Sequence, residues 1–397
     1  MNILHLQAGE LSGGAARGAY GLHSALREIG VDSHLIISGR DTHDDDTVIA
    51  LAGSQVKQVD FALRNRLGNL PIRLYRKRKK GNFNTGIAGI NFTRTLAYQE
   101  ADIIHMHWVN GLVSVRALRR VNKPIVWTMR DMWPMTGGCH VAMGCQRYMH
   151  GCGLCPQLSS QKEADLSRLI LKNKARAFCD SMYVVGVSNW LAEAARLSNI
   201  FKKNQVSKIS NNINTRDYFP IQQGVAREAL GFSGKERLLL VGALSLSDPW
   251  KGLDKFLKSI ALISNRNIHI VTFGSGAFES MRDINVPQTH LGKVFDTVTL
   301  RLAYSAADVF VAPSLMEAFG KTLAESMACG TPVVCFDATG PKDIVAHKET
   351  GYRATPYEPS DLAAGIDWIF SQDAQGAERL RQQSRKRAVE QFDSKVI

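Results

Sequence analysis

Residues 312–339 read APSLMEAFGKTLAESMACGTPVVCFDAT, and their pattern decides the fold. Val309, Phe310 and Val311 lead into them as an apolar, β-prone run that Pro313-Ser314 ends. A helical segment follows, and Thr331-Pro332 separates it from a second apolar run, Val333-Val334-Cys335-Phe336. Short, continuously apolar strands joined through a helix belong to a parallel sheet covered on both faces. Glu317 lies in the loop and Glu325 lies about one and a half turns into the helix. Both can face a ligand at the helix N-terminus, where unpaired N–H groups and partial positive charge suit a phosphate. Carboxylates accept hydrogen bonds from sugar or ribose hydroxyls, so the combination implies a nucleotide sugar. An ordinary αβ unit with two solvated glutamates has the same spacing, which leaves the flanking motifs to decide.

A chain of 397 residues has length for two domains with a core each. Its hydrophobic content of 45% is ordinary for a globular protein. No apolar run reaches the roughly 18 residues of a membrane span. The opening MNILHLQAGELSGG reads as a first strand and not as a secretion leader. With seven cysteines, an odd number, that points to a reducing cytosol. The net charge of +13 is uneven: no acidic residue stands between Asp60 and Glu100, while Arg64, Arg66, Arg73, Arg76, Lys77, Arg78, Lys79, Lys80 and Arg94 do. Such a patch suits nucleic acid, anionic lipid or an anionic substrate; a solvated loop is the bland alternative.

In chain order, 2–7 reads as a buried parallel strand and 15–29 as a helix. Ser12-Gly13-Gly14 between them is a glycine-rich turn where backbone can approach a phosphate or sugar closely. Asp44-Asp45-Asp46 has the D-x-D form of a metal motif, but without supporting context it reads as a solvated loop. Strand 102–108 puts His105 and His107 on one face, as a metal pair, as acceptor-site groups or as a packed pair. Strand 124–128 runs into Met129-Arg130-Asp131, candidates by position because loops after strand ends line the crevice of an open parallel sheet. Cys139, Cys145, Cys152 and Cys155 form a glycine-rich cluster closed by Cys-x2-Cys. Zinc, free thiols and paired disulfides all fit that spacing, with zinc preferred in a reducing compartment. Any of these is structural, since four thiolates leave a metal no open position.

E-x7-E with Phe319-Gly320 inside it, continued by MACGTPVV, resembles glycosyltransferase family 4, and similar segments run through most of the chain. The resemblance implies an α/β chain of the GT-B fold, with two Rossmann-like domains facing across a cleft. Residues 1–214 would be the acceptor-side domain and 215–375 the nucleotide-sugar-binding domain. A last segment, 376–397, would carry a helix returning toward the N-terminal domain. It also implies that Lys251 holds the donor diphosphate and Glu325 the ribose hydroxyls. Glu317 and the Phe319-Gly320-Lys321 backbone would hold the sugar, while Gly13 and Gly14 shape the cleft. The four cysteines resemble a cluster in one branch of the family, in a W-T-x-H-D-x-W context. There are departures. Ala243 stands where the family has arginine, and losing one such preorganised charge contact costs about 3 kcal/mol in the transition state. Arg130 stands where the branch has histidine; it is permanently charged and cannot serve as a general base. Asn212 replaces a glycine, and Asn tolerates a left-handed backbone.

The reading is a metal-independent, retaining, nucleotide-sugar-dependent hexosyltransferase of polysaccharide biosynthesis. It would act on a glycan or lipid-linked acceptor through Lys251, Glu317 and Arg130. No cofactor is expected for catalysis, and the cysteines would hold a structural zinc. The basic interval from Arg64 to Lys80 implies docking on anionic membrane, with the protein cytoplasmic at the inner face and no specific nucleic acid bound. The alternative is a non-catalytic, basic zinc-knuckle protein that binds RNA or an anionic polymer on the same scaffold. A sugar-nucleotide epimerase comes third, and E-x7-E argues against it.

Overall fold

The structure is a computed structural model that describes residues 1–39, 45–51, 54–79, 81–232, 234–276, 281–282 and 284–397. Thirteen strands among these residues form two all-parallel sheets. The first has the order β3-β2-β1-β4-β5-β6-β7, with β1 Asn2–Gln7, β2 Asp32–Ile37, β3 Val48–Ala50, β4 Ile103–Met106, β5 Ile125–Met129, β6 Tyr183–Gly186 and β7 Val206–Lys208. The second has the order β10-β9-β8-β11-β12-β13, with β8 Arg237–Ser245, β9 Ile268–Ser275, β10 Gln288–His290, β11 Val309–Ala312, β12 Val333–Phe336 and β13 Gly351–Ala354.

These strands are parallel because their side chains are apolar on both faces. Every residue of β11 and β12 is buried, as are Leu4, Leu6, Ile104, Met106 and Trp127 of the first sheet. The helices Leu253–Ile260 and Pro359–Phe370 close the second core, where Phe256, Leu362 and Ile366 pack with Ile270, Val311 and Val334.

The chain divides into compact units Met1–Ile209 and Ser210–Ile397. The division falls a few residues ahead of the boundary read at 214/215, because the intervening asparagines bond into the second unit. Ile213 N donates to Phe392 O at 2.7 Å, and Asn212 Nδ2 donates to Ser394 Oγ at 2.9 Å. The last helix is Ala374–Phe392. Within its own unit it lies on helix Lys321–Ala328, and its Arg385 donates to Ala328 O at 2.7 Å and to Tyr218 O at 2.6 Å.

The acid-free interval is not a plain loop. It holds most of helix Gln55–Gly68, capped where Ser54 Oγ accepts from Lys57 N, and a 3-10 turn Leu70–Leu74. Further along, the backbone is laced to the cysteine-rich segment. Lys79 N donates to Gln157 O at 2.9 Å, Ser159 Oγ to Lys77 O at 2.9 Å, and Leu166 N to Tyr75 Oη at 3.0 Å. Lys80 and Asp44 lie outside the described residues. Asp45 of the D-x-D sequence is structural: it accepts from Thr47 Oγ1 at 2.6 Å and pairs with Arg27 at 3.3 Å.

Candidate functional site

Each sheet reverses its strand order once, at β1/β4 in the first unit and at β8/β11 in the second. The crevice outside the carboxyl ends of strands at such a point is where open α/β sheets take ligands. In the second unit the loop after β8 carries Lys251 and the loop after β11 carries Glu317. The two loops are clamped together. Leu315 N donates to Trp250 O at 2.8 Å. Gly252 is left-handed at φ 67°, and a Cβ there would come within 1.9 Å of Pro313 O, so glycine alone permits the approach. The result is an ion pair of 2.5 Å between Lys251 Nζ and Glu317 Oε2, with the side chains 21% and 24% exposed. From the other side, Glu317 N donates to Thr339 Oγ1 at 3.2 Å and Gly340 N donates to Glu317 O at 2.9 Å.

Helix Lys321–Ala328 begins beside this pair at Gly320, which is left-handed at φ 111° and supplies no side-chain cap. Phe319 is buried edge-on to Phe392 at 5.6 Å, and Lys321 Nζ reaches Asn212 O at 3.5 Å. Glu325 is fully buried and accepts from Tyr304 Oη at 3.1 Å. Ala243 is also buried, packed with Leu246 and Leu253, in a stretch where β8 slips register between Gly242 and Ser245. Position 243 faces the core and presents nothing to the crevice.

At the switch point of the first unit, Gly13 precedes helix Gly14–Glu28, and a Cβ on either Gly13 or Gly14 would meet nothing within 4 Å. Across the sheet, Arg130 donates from its NH2 nitrogen to His107 Nδ1 at 3.0 Å, and His107 Nε2 lies 2.9 Å from His5 Nδ1. Arginine only donates, so the proton of His107 sits on Nε2 and is given to His5. His105 Nε2 lies 2.8 Å from Thr128 Oγ1. Burial pushes His5 and His107 well below the usual imidazole range and His105 down to about 3, with neighbouring positive charge adding to each shift. All three rings are therefore neutral at pH 7. Burial also brings the Arg130 guanidinium down to about 9, which leaves it charged. The ligand atoms of these three histidines lie within 4.8 Å of one another, the one such group among the described residues. The hydrogen bonds argue against a metal there: the facing nitrogens already share a proton, and a dication would sit beside a guanidinium. Asp131 is held by Trp108 Nε1 at 2.7 Å, Trp133 N at 2.8 Å and His140 Nδ1 at 2.6 Å.

Cys139, Cys145, Cys152 and Cys155 line one small cavity of about 20 Å³, and none is in a disulfide. Gly137 N donates to the Cys152 sulfur, and Gln157 and Leu158 N donate to that of Cys155. Burial pushes the Cys139 thiol up to about 12 and the Cys152 thiol up to about 11, so neither is a nucleophile at neutral pH. Beside them lies Lys174, fully buried, its Nζ donating to the carbonyls of Trp133 and Thr136 and sitting 3.5 Å from the Trp133 ring centroid. Among the described residues, no carboxylate lies within ion-pair distance of it.

Of the residues singled out from sequence, the structure brings together Lys251, Glu317 and the Phe319–Lys321 backbone. Glu325 is set on the inner side of the helix with Tyr304, and Arg130 with His107. Sequence reasoning missed Trp250, Thr339, Tyr304, His5 and Lys174. Trp250 and Thr339 carried a signal in their adjacency to the motifs; the other three carried none.

Residues 12–217 match the family described as Glycosyltransferase Family 4, and residues 223–387 match Glycosyl transferases group 1. A putative colanic acid biosynthesis glycosyl transferase of Escherichia coli is 24% identical over 87% of this chain and 85% of its own. An uncharacterized glycosyltransferase of Methanocaldococcus jannaschii is 30% identical over 70% and 68%. Among solved structures, sucrose-phosphate synthase of Thermosynechococcus elongatus superposes with a TM-score of 0.71 at 20% identity, over 100% of this chain and 96% of that one. Anabaena HepE, solved with UDP and glucose, gives 0.65 at 16% identity, over 99% and 96%. At these identities the solved structures speak to the fold alone.

Proposed function

Because the chain belongs to glycosyltransferase family 4 and adopts the GT-B fold, we propose that it moves a hexose from a nucleotide sugar to a glycan or lipid-linked acceptor, with retention of configuration. The Lys251–Glu317 ion pair at the β8/β11 switch point carries this reading. Without a donor, the carboxylate occupies the ammonium. With one, the diphosphate takes Lys251, and Glu317 is released to accept hydrogen bonds from sugar hydroxyls. Negative charge grows on the diphosphate as the sugar–phosphate bond breaks, so Lys251 interacts more strongly in the transition state than in the ground state. The Phe319-Gly320-Lys321 backbone assists at the sugar, and Glu325, buried against Tyr304 while no donor is bound, must turn outward to take the ribose hydroxyls. The open space over Gly13-Gly14 leaves room for substrate. Arg130, charged at pH 7, is assigned to an anionic group of a substrate. HepE structures with UDP and with UDP-glucose support a uridine donor as the first probe. The name of the Escherichia coli relative supports polysaccharide biosynthesis.

The cysteine quartet is assigned one structural zinc. The cavity admits one small occupant, backbone N–H groups already face two of the sulfurs, and Lys174, which burial brings down to about 7, would be held charged by a doubly negative zinc tetrathiolate. The four sulfurs are not drawn together as a metal-ready group in the way the three histidines are, so loading would draw them inward toward the edge of about 3.8 Å of a tetrahedral site. The basic run that begins at Arg64 is assigned to the cytoplasmic face of an anionic membrane, where a lipid-linked acceptor is reached.

Thermal-shift titration with UDP, UDP-glucose and UDP-glucuronate tests the reading. Stabilisation of wild type that weakens in Lys251→Ala is expected. A protein that no nucleoside diphosphate or nucleotide sugar stabilises, but whose RNA complex survives physiological salt, would be the binding protein instead.

A further inference from the structure

Helix Gln55–Gly68 and the turn Leu70–Leu74 carry five large apolar residues on the side facing water. The protein side is taken by partly buried Gln58, Phe61 and Asn65 and by buried Gly68 and Ile72. Val59, Leu63, Leu67, Leu70 and Leu74 recur at helical spacing on the other side, and they are 68%, 53%, 55%, 43% and 82% exposed. Scattered exposed apolar residues need no explanation, but Val59, Leu63 and Leu67 four apart on one helix face, followed by exposed Leu70 and Leu74 on the next turn, do. Arg64, Arg66, Arg73, Arg76, Lys77, Arg78 and Lys79 are exposed around it, and Asp60, the nearest acid, is engaged by Arg64 at 2.8 Å. Hydrogen bonds at the backbone of Lys77 and Lys79 and at the Tyr75 hydroxyl tie the basic segment down, so the cations stand on a fixed platform.

We propose that this face is a membrane anchor. Val59, Leu63, Leu67, Leu70 and Leu74 enter the boundary between lipid headgroups and acyl chains, while the surrounding cations meet lipid phosphates. The inference rests on the charge-based docking above and adds to it a site, an orientation and an apolar component. Charge complementarity selects the occupant. A second copy of this chain, meeting face to face across a two-fold axis, would set this cationic patch against its own image. RNA would satisfy the cations and leave the leucines in water. A surface with acyl chains beneath anionic headgroups satisfies both. No described helix is long and apolar enough to cross a membrane, so the segment lies on the surface.

Flotation with vesicles of phosphatidylcholine and phosphatidylglycerol (1:1), and of phosphatidylcholine alone, tests this at low and high salt. Wild type is expected to float with the anionic vesicles and to keep part of that binding at high salt, because apolar insertion is not screened. Leu63→Gln/Leu67→Gln/Leu74→Gln should lower partitioning at least tenfold and make the residue of binding fully salt-sensitive. The replaced side chains are exposed, so the melting temperature should hold. Arg76→Gln/Lys77→Gln/Arg78→Gln should reduce binding to anionic vesicles alone. Flotation of the triple-leucine variant at the wild-type level and salt dependence would overturn the anchor. So would a leucine-dependent dimer in sedimentation with vesicle binding unchanged. The thermal shift with UDP, read on the same proteins, reports on the transfer reading separately, since Lys251 and Glu317 belong to the other compact unit.

Discussion

The two switch points hold positive charge in opposite ways. In the second unit Lys251 faces a carboxylate, and both side chains are partly open to solvent. A diphosphate that replaces Glu317 keeps the ammonium paired with negative charge, so the exchange leaves no uncompensated cation. In the first unit Arg130 ends a buried run through His107 to His5, whose tautomers are set by the donor at one end. Removing a member there strands a buried polar group, at about 1–3 kcal/mol. The same topological position has been built once to trade partners and once to keep a shape.

The strongest way to break this contrast is Lys251→Ala. Turnover of a nucleotide sugar should fall about 10²–10³-fold, as for loss of one transition-state charge contact, with the melting temperature nearly unchanged. A large drop in melting temperature with turnover preserved would make the pair structural. Glu325→Ala should behave unlike a change at Glu317. It weakens UDP binding and also leaves buried Tyr304 without this acceptor, so urea unfolding should show a loss of about 1–3 kcal/mol. Acid sharpens the other half. His105 has a folded pKa of about 3, below the unfolded value near 6.5, so its unfolded form binds protons first as pH falls. The stabilisation is complete above about pH 6.5 and is lost progressively toward pH 3. His105 alone accounts for about 2 kcal/mol between pH 7 and pH 5, and His5 and His107 shift in the same direction. Urea titrations at the two pH values measure it. Elemental analysis under reducing conditions should find about one zinc per chain, and a metal-free protein of normal stability would remove that assignment. The smallest effect on kcat/KM is expected from Arg130→His, about tenfold or less, because the guanidinium is already engaged with His107. A uniform loss across donors would place Arg130 at the diphosphate, and a loss confined to acidic donors would place it at the sugar. Unchanged kinetics would leave it only the task of holding His107.

Much of this was legible in the sequence because buried parallel strands announce themselves. Val309–Ala312 and Val333–Phe336 are apolar without alternation, and the motif between them named the family. The E-x7-E spacing put Glu317 in the loop and Glu325 in the helix, but could not reveal that Glu317 pairs with Lys251 or that Glu325 turns inward, since Lys251 and Tyr304 are remote in sequence. His5 likewise meets His107 only through the pairing of β1 with β4. Helix Gln55–Gly68 escaped because a reading of apolar period assumes that the apolar stripe faces the protein, and here it faces water. Lys174 looked like any helix-surface lysine; only the packing of the cysteine-rich segment over it makes it buried.

The clasp between Ile213 and Phe392 has a consequence for synthesis. Strand β7 is complete by Lys208, so the first unit can close on the ribosome while the second is still being made. The second cannot, because its opening residues are held by Phe392, Asp393 and Ser394. The folding order is thus written into the chain: the half bearing the histidine chain matures early, and the half bearing Lys251 and Glu317 waits for residues 392–394. A ribosome stalled at residue 380 should display a protease-resistant first half and a digestible second one.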